Sequence, residues 1–252
     1  MSLEIARICR YPVKGLSAEN LERVRVAPGE GLPDDRRYAL AHGSTAFDVA
    51  APEWMPKHNF LMLAKNERLA KLRTIYDSQT RMLTVERDGK QVVRADLGNA
   101  TGRMLVEQFF SAYMSGETRG NPKLVEAPGH MFSDVARKVV SIIGLASVAD
   151  IERVARAPVD PVRFRANLYF AGGRPWEEFD WIDREIAIGA VRLKVVKRIV
   201  RCAATTVNPQ TATRDMNIPR LLQEGFRHVD CGIYAEVLND GEIAVGDPIG
   251  TS

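Results

Sequence analysis

Short segments of alternating polar and apolar residues, each closed by a turn signal, set the strongest limit on what this chain can fold into. Residues 22–26, Glu-Arg-Val-Arg-Val, alternate with period two, as a strand with one wet face does. Residues 81–86 and 91–93 flank Asp88-Gly89, a dipeptide suited to the two-residue turn of a hairpin. Residues 185–200 read as a second hairpin turning at Gly189-Ala190, with Val191, Leu193 and Val195 on one face. Residues 231–238 and 242–245 flank Asn239-Asp240-Gly241 and read as a final hairpin. Further strands are expected at 5–11, ended by Pro12, at 38–40, at 139–143, and at 163–170 before Gly172-Gly173. Helical periodicity is confined to 99–114, to a helix opened by Ser147 with Val148, Ile151 and Val154 on one face, and to a short helix from Asn217-Ile218-Pro219 to Gly225. The fold expected is therefore mostly β with some α: strands with barrel-like closure and a few covering helices.

A chain of 252 residues holds one large domain or two intimate ones. The polar, proline-bearing stretch 116–128 is the expected boundary, giving one domain over residues 1–120 and a second over 121–252. No apolar run approaches the ~18 residues of a membrane-spanning helix. The first residues show no basic flank followed by an apolar core, so cytoplasmic residence is expected. The net charge of +3, without a basic stripe interleaved with aromatics, argues against nucleic-acid binding and is compatible with a small anionic ligand. Cys9, Cys202 and Cys231 are too few and too scattered for a disulfide framework or a zinc site, so reduced thiols are expected.

Cys202 sits where the strand-like run to Val200 gives way to Ala203-Ala204-Thr205-Thr206 and Asn208-Pro209. Arg201 beside it, with Lys197 and Arg198 close by, makes surroundings that favour a thiolate, the form that attacks electrophiles and binds soft metals. Two readings stay open on the residues alone: a ligand or nucleophile, and a small apolar side chain closing a sheet. Cys231 alternates with apolar neighbours and reads as core. Lys14 stands at the end of the first strand, in Tyr11-Pro12-Val13-Lys14-Gly15, and Arg36 and Arg37 lead into another; each is either a surface cation or an anion ligand. Ser147, with Asp150 three residues on, reads as a helix cap, and a helix N-terminus is also an anion site. Arg165 and Asn167, two apart in an expected strand, would share a face. Residues 42–59, with Trp54, Lys57 and His58, lack periodicity and form a candidate binding loop.

Arg-Cys-x-x-Thr-Thr-Val-Asn-Pro at 201–209, Arg165-Ala166-Asn167 upstream, Gly246-Asp247-Pro248, and Tyr11-Pro12-Val13-Lys14 followed by Asp35-Arg36 together resemble the MOSC family, and within it the amidoxime-reducing components and their bacterial counterparts. The resemblance spans nearly the whole chain. It implies a MOSC β-barrel with a closely packed N-terminal β-barrel-like domain, and a molybdenum-pterin cofactor (molybdopterin). It implies Cys202 as metal ligand and catalytic residue, with Lys14, Arg36, Ser147, Arg165, Asn167, Arg201, Thr205 and Thr206 as cofactor-binding residues. Gly15 departs from the serine of the animal enzymes, which implies one cofactor contact fewer. By the same resemblance the reaction is reduction of small N-hydroxylated compounds by removal of the hydroxyl oxygen. With no iron–sulfur cysteine set and no ferredoxin domain after Gly246-Asp247-Pro248, the electrons are expected from an external ferredoxin- or cytochrome-type protein. No histidine has a neighbourhood suited to proton delivery, so the proton is expected from water, with His58 as the alternative. Two other functions use the same residues: a sulfur carrier or sulfurtransferase working through a Cys202 persulfide, and a non-catalytic carrier of the cofactor.

Overall fold

Alternation builds the sheets, and the edges left free decide how they join. The computed structural model describes residues 2–251. Its strands in chain order are β1 (Glu4–Arg10), β2 (Glu19–Leu21), β3 (Arg23–Val26), β4 (Ala39–Ala41), β5 (Leu72–Asp77), β6 (Met82–Arg87), β7 (Lys90–Asp96) and β8 (Lys123–Val125). They continue with β9 (Val140–Gly144), β10 (Leu168–Ala171), β11 (Glu185–Ile188), β12 (Val191–Val200), β13 (Asp230–Val237), β14 (Gly241–Ala244) and β15 (Ile249–Thr251). The α-helices are α1 (Ala100–Tyr113), α2 (Leu145–Ala155) and α3 (Ile218–Phe226). The chain is mostly β, as its alternation requires.

Eight strands form one sheet in the order β15-β11-β12-β13-β9-β10-β1-β2. Only β9 and β10 run parallel, and α2 makes the crossover that a parallel pair needs. Backbone bonds from Ile5 N to the Asp247 carbonyl (2.9 Å), Gly246 N to Ile5 (2.7 Å) and Ile249 N to Leu3 (2.9 Å) bring the end of the chain against β1 and close the sheet on itself. Ile8, Ile142, Leu168, Leu193, Val195 and Ile233 fill the interior. The second core lies under the β5-β6-β7 meander, α1 and the β4-β8 pair, with Leu40, Leu61, Leu72, Leu83, Val106 and Phe110 buried together. Asn99 caps α1, its side chain accepting from Gly102 N at 2.8 Å. β1 and β2 belong to the large sheet and β3 pairs with β14, so the chain through Val26 is woven into the strands that follow residue 139.

Three local expectations are corrected. Residues 231–245 do not make a hairpin: both edges of β13 are taken, by β12 and β9, so β14 pairs with β3 instead, setting buried Ile243 opposite Val24. Residues 163–170 are not one strand: Pro161–Phe164 form a 3-10 turn, Arg165 takes a left-handed conformation (φ 53°), and β10 begins only at Leu168. The helix expected at Ser147 begins at Leu145, with Gly144 at the cap position, because Ser147 is turned inward.

A bulge after Val195 shifts the β12 register against β13, leaving Ile199 buried and Val200 69% exposed where the chain leaves the sheet toward Cys202. Across from it Gly232 has φ 76°, and a Cβ there would come within 2.6 Å of the Ile142 carbonyl and 3.2 Å of the Arg201 guanidinium. Only glycine fits that position. Gly232→Ala should therefore lower the stability read from urea denaturation by about 2–3 kcal/mol, where an ordinary surface Gly→Ala is close to neutral.

Candidate functional site

The bulged end of β12 delivers Cys202 to the wall of a cleft whose empty space, open mouth included, is about 940 Å3. Cys202 itself is extended (φ −124°, ψ 179°) and half-buried, at the start of the 3-10 turn Ala203–Thr206. Thr205 fixes its carbonyl twice, from the backbone N at 3.0 Å and from Oγ1 at 2.9 Å. Arg201 ties the same loop down: Nε donates to the Cys231 carbonyl (2.8 Å) and Nη1 to the Phe164 carbonyl (2.8 Å). The thiol is presented by a loop whose neighbours are anchored on both sides.

Two arginines approach from opposite ends of the sequence. The Arg36 and Arg165 guanidiniums lie over the buried Tyr11 ring, 4.7 and 4.3 Å from its centroid. Arg36 is bonded to the Asp35 carboxylate and donates from Nη2 to the Arg165 carbonyl at 2.8 Å. Burial works against its charge, and Asp35 leads the interactions that hold its pKa above the ordinary value. Arg165 is less well provided for. Its Nη1 donates to the Leu16 carbonyl at 2.7 Å, while among the described residues Nε and Nη2 have no acceptor and no carboxylate pairs with it. Burial, with Arg36 adding to it, pulls its pKa below the ordinary value, and an anion in the cleft would oppose that effect.

Lys14 is 6% exposed and donates to the Phe132 carbonyl (2.9 Å) and to Asp134 Oδ1 (2.5 Å). The other oxygen of Asp134 accepts from Lys57 at 3.3 Å, and the same Lys57 Nζ lies 3.2 Å from Cys202 Sγ. Burial works the other way, yet Lys14 and Lys57 hold the Asp134 carboxyl well below the usual carboxylate range. Asn167, 1% exposed, is committed to the wall: Oδ1 accepts from Ser141 N (3.2 Å) and Oγ (2.7 Å), and Nδ2 donates to the Cys9 carbonyl (3.2 Å).

The cleft thus brings together Lys14, Arg36, Arg165, Asn167, Arg201, Cys202 and Thr205 from the residues singled out in the sequence. Ser147 and Thr206 are elsewhere. Ser147 is fully buried behind the sheet, donating to Glu178 (2.8 Å) and accepting from Trp176 N (2.8 Å), so it braces a loop rather than capping a helix. Thr206 donates to the Ala203 carbonyl (2.7 Å) and accepts from Arg214 (2.8 Å). Arg37 pairs with Asp34 and Glu126 and leaves the cleft to Arg36, and His58 is exposed and outside the lining. Sequence reasoning missed Asp134 and Arg163 and gave Lys57 no role; Lys57 was legible only as a cation in an unpatterned loop, and Asp134 gave no signal.

The donor set suits an anion with a soft metal beside it. Six cations, Lys14, Arg36, Lys57, Arg163, Arg165 and Arg201, line the cleft with one acid, Asp134. Among the described residues no group of three or more His, Cys, Asp or Glu side chains could hold a metal alone. A soft metal would find a thiol at Cys202, and the phosphate of a pterin cofactor would find open donors on Arg165.

A family model of the MOSC N-terminal beta barrel domain matches residues 2–136, and one of the MOSC domain matches residues 127–250. The chain belongs to the MOSC family. This MOSC chain is 32% identical to human mitochondrial amidoxime-reducing component 1 over 183 residues, 64% of the chain and 53% of that protein. It is 32% identical to mitochondrial amidoxime reducing component 2 of Bos taurus over 122 residues, 44% of the chain and 36% of that protein. A third similarity, 36% over 73 residues, is to the molybdenum cofactor sulfurase of Bos taurus and covers 29% of the chain and 8% of the sulfurase. The MOSC chain thus spans about a third to a half of the length of the amidoxime-reducing relatives. Among its described residues no helix is long and apolar enough to cross a membrane.

Two predictions follow from the geometry. Burial pushes the Cys231 thiol up to about 12 and raises Cys9 as well, while Cys202 is half-buried in a cleft, so a thiol reagent should label Cys202 alone in the folded protein and all three cysteines in denaturant. Ser147→Ala removes a donor from the buried Glu178 and an acceptor from Trp176 N, and should cost about 1–3 kcal/mol in urea denaturation.

Proposed function

We propose that this MOSC protein binds a molybdenum-pterin cofactor in the cationic cleft, takes the Cys202 thiolate as the metal's protein ligand, and reduces N-hydroxylated compounds by removing the hydroxyl oxygen. The observation that carries the reading is a half-buried cysteine in a cleft with six cations and one acid, in a chain of this family.

Both parts of the chain contribute. Lys14, Arg36 and Lys57 come from residues 1–120, and Arg165, Asn167, Arg201, Cys202 and Thr205 from 121–252, so residues on both sides of the proposed boundary share the cleft. Arg165, with two open donors, and Arg36 beside it bind the phosphate, and Lys14 adds a point charge. Asn167 ties β9 and β1 to the start of β10 and so stiffens the wall that would hold the pterin. Arg201 and Thr205 hold the cysteine loop so that Sγ does not have to be ordered when the ligand arrives. When bound, the cofactor supplies the two-electron chemistry, and the protein supplies binding, orientation and field. For an amidoxime the balance is two electrons and two protons taken up, the N–O bond broken, and the oxygen released as water. The electrons come from an external ferredoxin- or cytochrome-type donor and the protons from water in the open cleft. Cytoplasmic residence is part of this reading.

The test is protein made in a host competent for cofactor synthesis, analysed for molybdenum and pterin and assayed with a reduced dye for conversion of benzamidoxime to benzamidine. Wild type should be loaded and active, and Cys202→Ala inactive. Arg165→Ala loses charge-assisted contacts worth about 1.5–3 kcal/mol each, so its cofactor retention after dialysis should fall by about tenfold or more. Wild type that carries sulfane sulfur and no molybdenum would support the sulfur-carrier reading, and loaded protein without turnover the cofactor-carrier reading.

A further inference from the structure

A cleft that collects cations for an anionic group has reason to keep carboxylates out, yet Asp134 stands in its wall with a side chain 45% exposed. Its two oxygens do different things. Oδ1 accepts from Lys14, whose side chain is only 8% exposed, and that bond is explained by the cost of burying an unpaired ammonium. Oδ2 accepts only from Lys57. The Lys57 side chain is 34% exposed and belongs to the unpatterned segment between β4 and β5, so it is a long cation that can turn out to water. In the arrangement seen here its ammonium lies 3.3 Å from Oδ2 and 3.2 Å from Cys202 Sγ, so one cationic N–H group spans the distance from the carboxylate to the thiol. Neither the anion cradle nor the pairing of Lys14 calls for an acceptor at that spot.

We propose that Asp134 is a specificity-determining residue: Oδ2 accepts an N–H from the substrate, in the place taken here by the Lys57 ammonium, and thereby favours N-hydroxylated amidines and guanidines over N-hydroxylated compounds with no N–H donor beside the N–OH group. This inference rests on the reductase reading above. An amidoxime carries an NH2 group on the carbon that bears the =N–OH nitrogen. Once two electrons from the external donor and two protons have been taken up and the N–O oxygen has left as water, the amidine binds one more proton. The resulting amidinium presents a cationic N–H group to Oδ2, a charge-assisted bond stronger than one from a neutral donor. An aldoxime carries a C–H where the amidoxime carries NH2, and offers Asp134 nothing. Because Lys14 stays on Oδ1 throughout, the carboxylate keeps one oxygen anchored while the other changes partner.

The test uses cofactor-loaded protein, benzamidinium as the binding probe in calorimetry, and benzamidoxime and benzaldoxime as paired substrates. Asp134→Asn keeps an oxygen for Lys14 and removes the charge; it should weaken benzamidinium binding and lower kcat/KM for benzamidoxime by about tenfold or more, with benzaldoxime changed little. Lys57→Met removes the competing ammonium and should tighten benzamidinium binding severalfold. Equal benzamidinium affinity in wild type and Asp134→Asn, or an equal loss on both substrates, would overturn the assignment. Should Asp134→Asn fail to fold, Lys57→Met decides, since unchanged or weaker binding also overturns it. Wild type that reduces both substrates without dependence on Asp134 leaves the reductase reading standing and removes only this inference. Asp134-dependent benzamidinium binding without turnover of either substrate overturns the reductase reading, and the preference among N-hydroxylated substrates with it, and leaves only the contact between Asp134 and an amidinium.

Discussion

Two guanidiniums held against one buried phenol ring are the constraint on which the rest of the site depends. Arg36 and Arg165 both lie over Tyr11, itself 0% exposed, and the charge of Arg36 works against that of Arg165 where water is scarce. The fold offsets the repulsion with the Asp35 carboxylate and with the carbonyls of Leu16 and Arg165, drawn from three separate turns. Reaching those partners requires left-handed backbone at both arginines, with φ of 49° and 53°, a conformation uncommon outside glycine, asparagine and aspartate. Strain of that kind persists where surrounding bonds over-determine it: Arg36 N donates to Tyr11 (2.7 Å) and Arg165 N to Val162 (3.0 Å). The remaining imbalance of charge is the feature of the cleft on which the proposed anion binding rests.

The thiol is placed by a second set of constraints that meets the first at Arg201. The β12 bulge, the glycine at 232 and the Cys231 carbonyl fix where Arg201 lies, and Arg201 in turn reaches the Phe164 carbonyl next to Arg165. The proposed metal ligand Cys202 and the proposed phosphate ligand Arg165 are thereby referenced to the same few turns. A loop that had to order itself around an incoming cofactor would lose affinity to that ordering, and this one is largely pre-formed.

How much of this was legible in the sequence depends on how local each feature is. The Asp88-Gly89 hairpin, the buried face of Val191, Leu193 and Val195, the Asn99-capped helix and the position of Cys202 at a strand end could be read because neighbouring residues determine them. The pairing of β14 with β3 could not, since it follows from β13 having no free edge, a fact of the whole sheet. Arg-Phe-Arg-Ala-Asn at 163–167 alternates like a strand, and the single left-handed residue that breaks it leaves no mark on the pattern. Ser147 and Asp150 have the spacing of a cap, but the partners that decide the serine's role, Glu178 and Trp176, are far along the chain. The bridge from Lys57 to Asp134 and Cys202 joins segments without periodicity, and only their meeting in space gives them chemistry.

On the function proposed, the Cys202 thiolate is the one protein ligand of a molybdenum brought into the cleft by its pterin. X-ray absorption at the molybdenum edge of cofactor-loaded protein tests it most directly. Wild type should show a sulfur shell that loses one scatterer in Cys202→Ser while the cofactor stays bound to the cationic wall. An identical sulfur shell in the two proteins would contradict the claim.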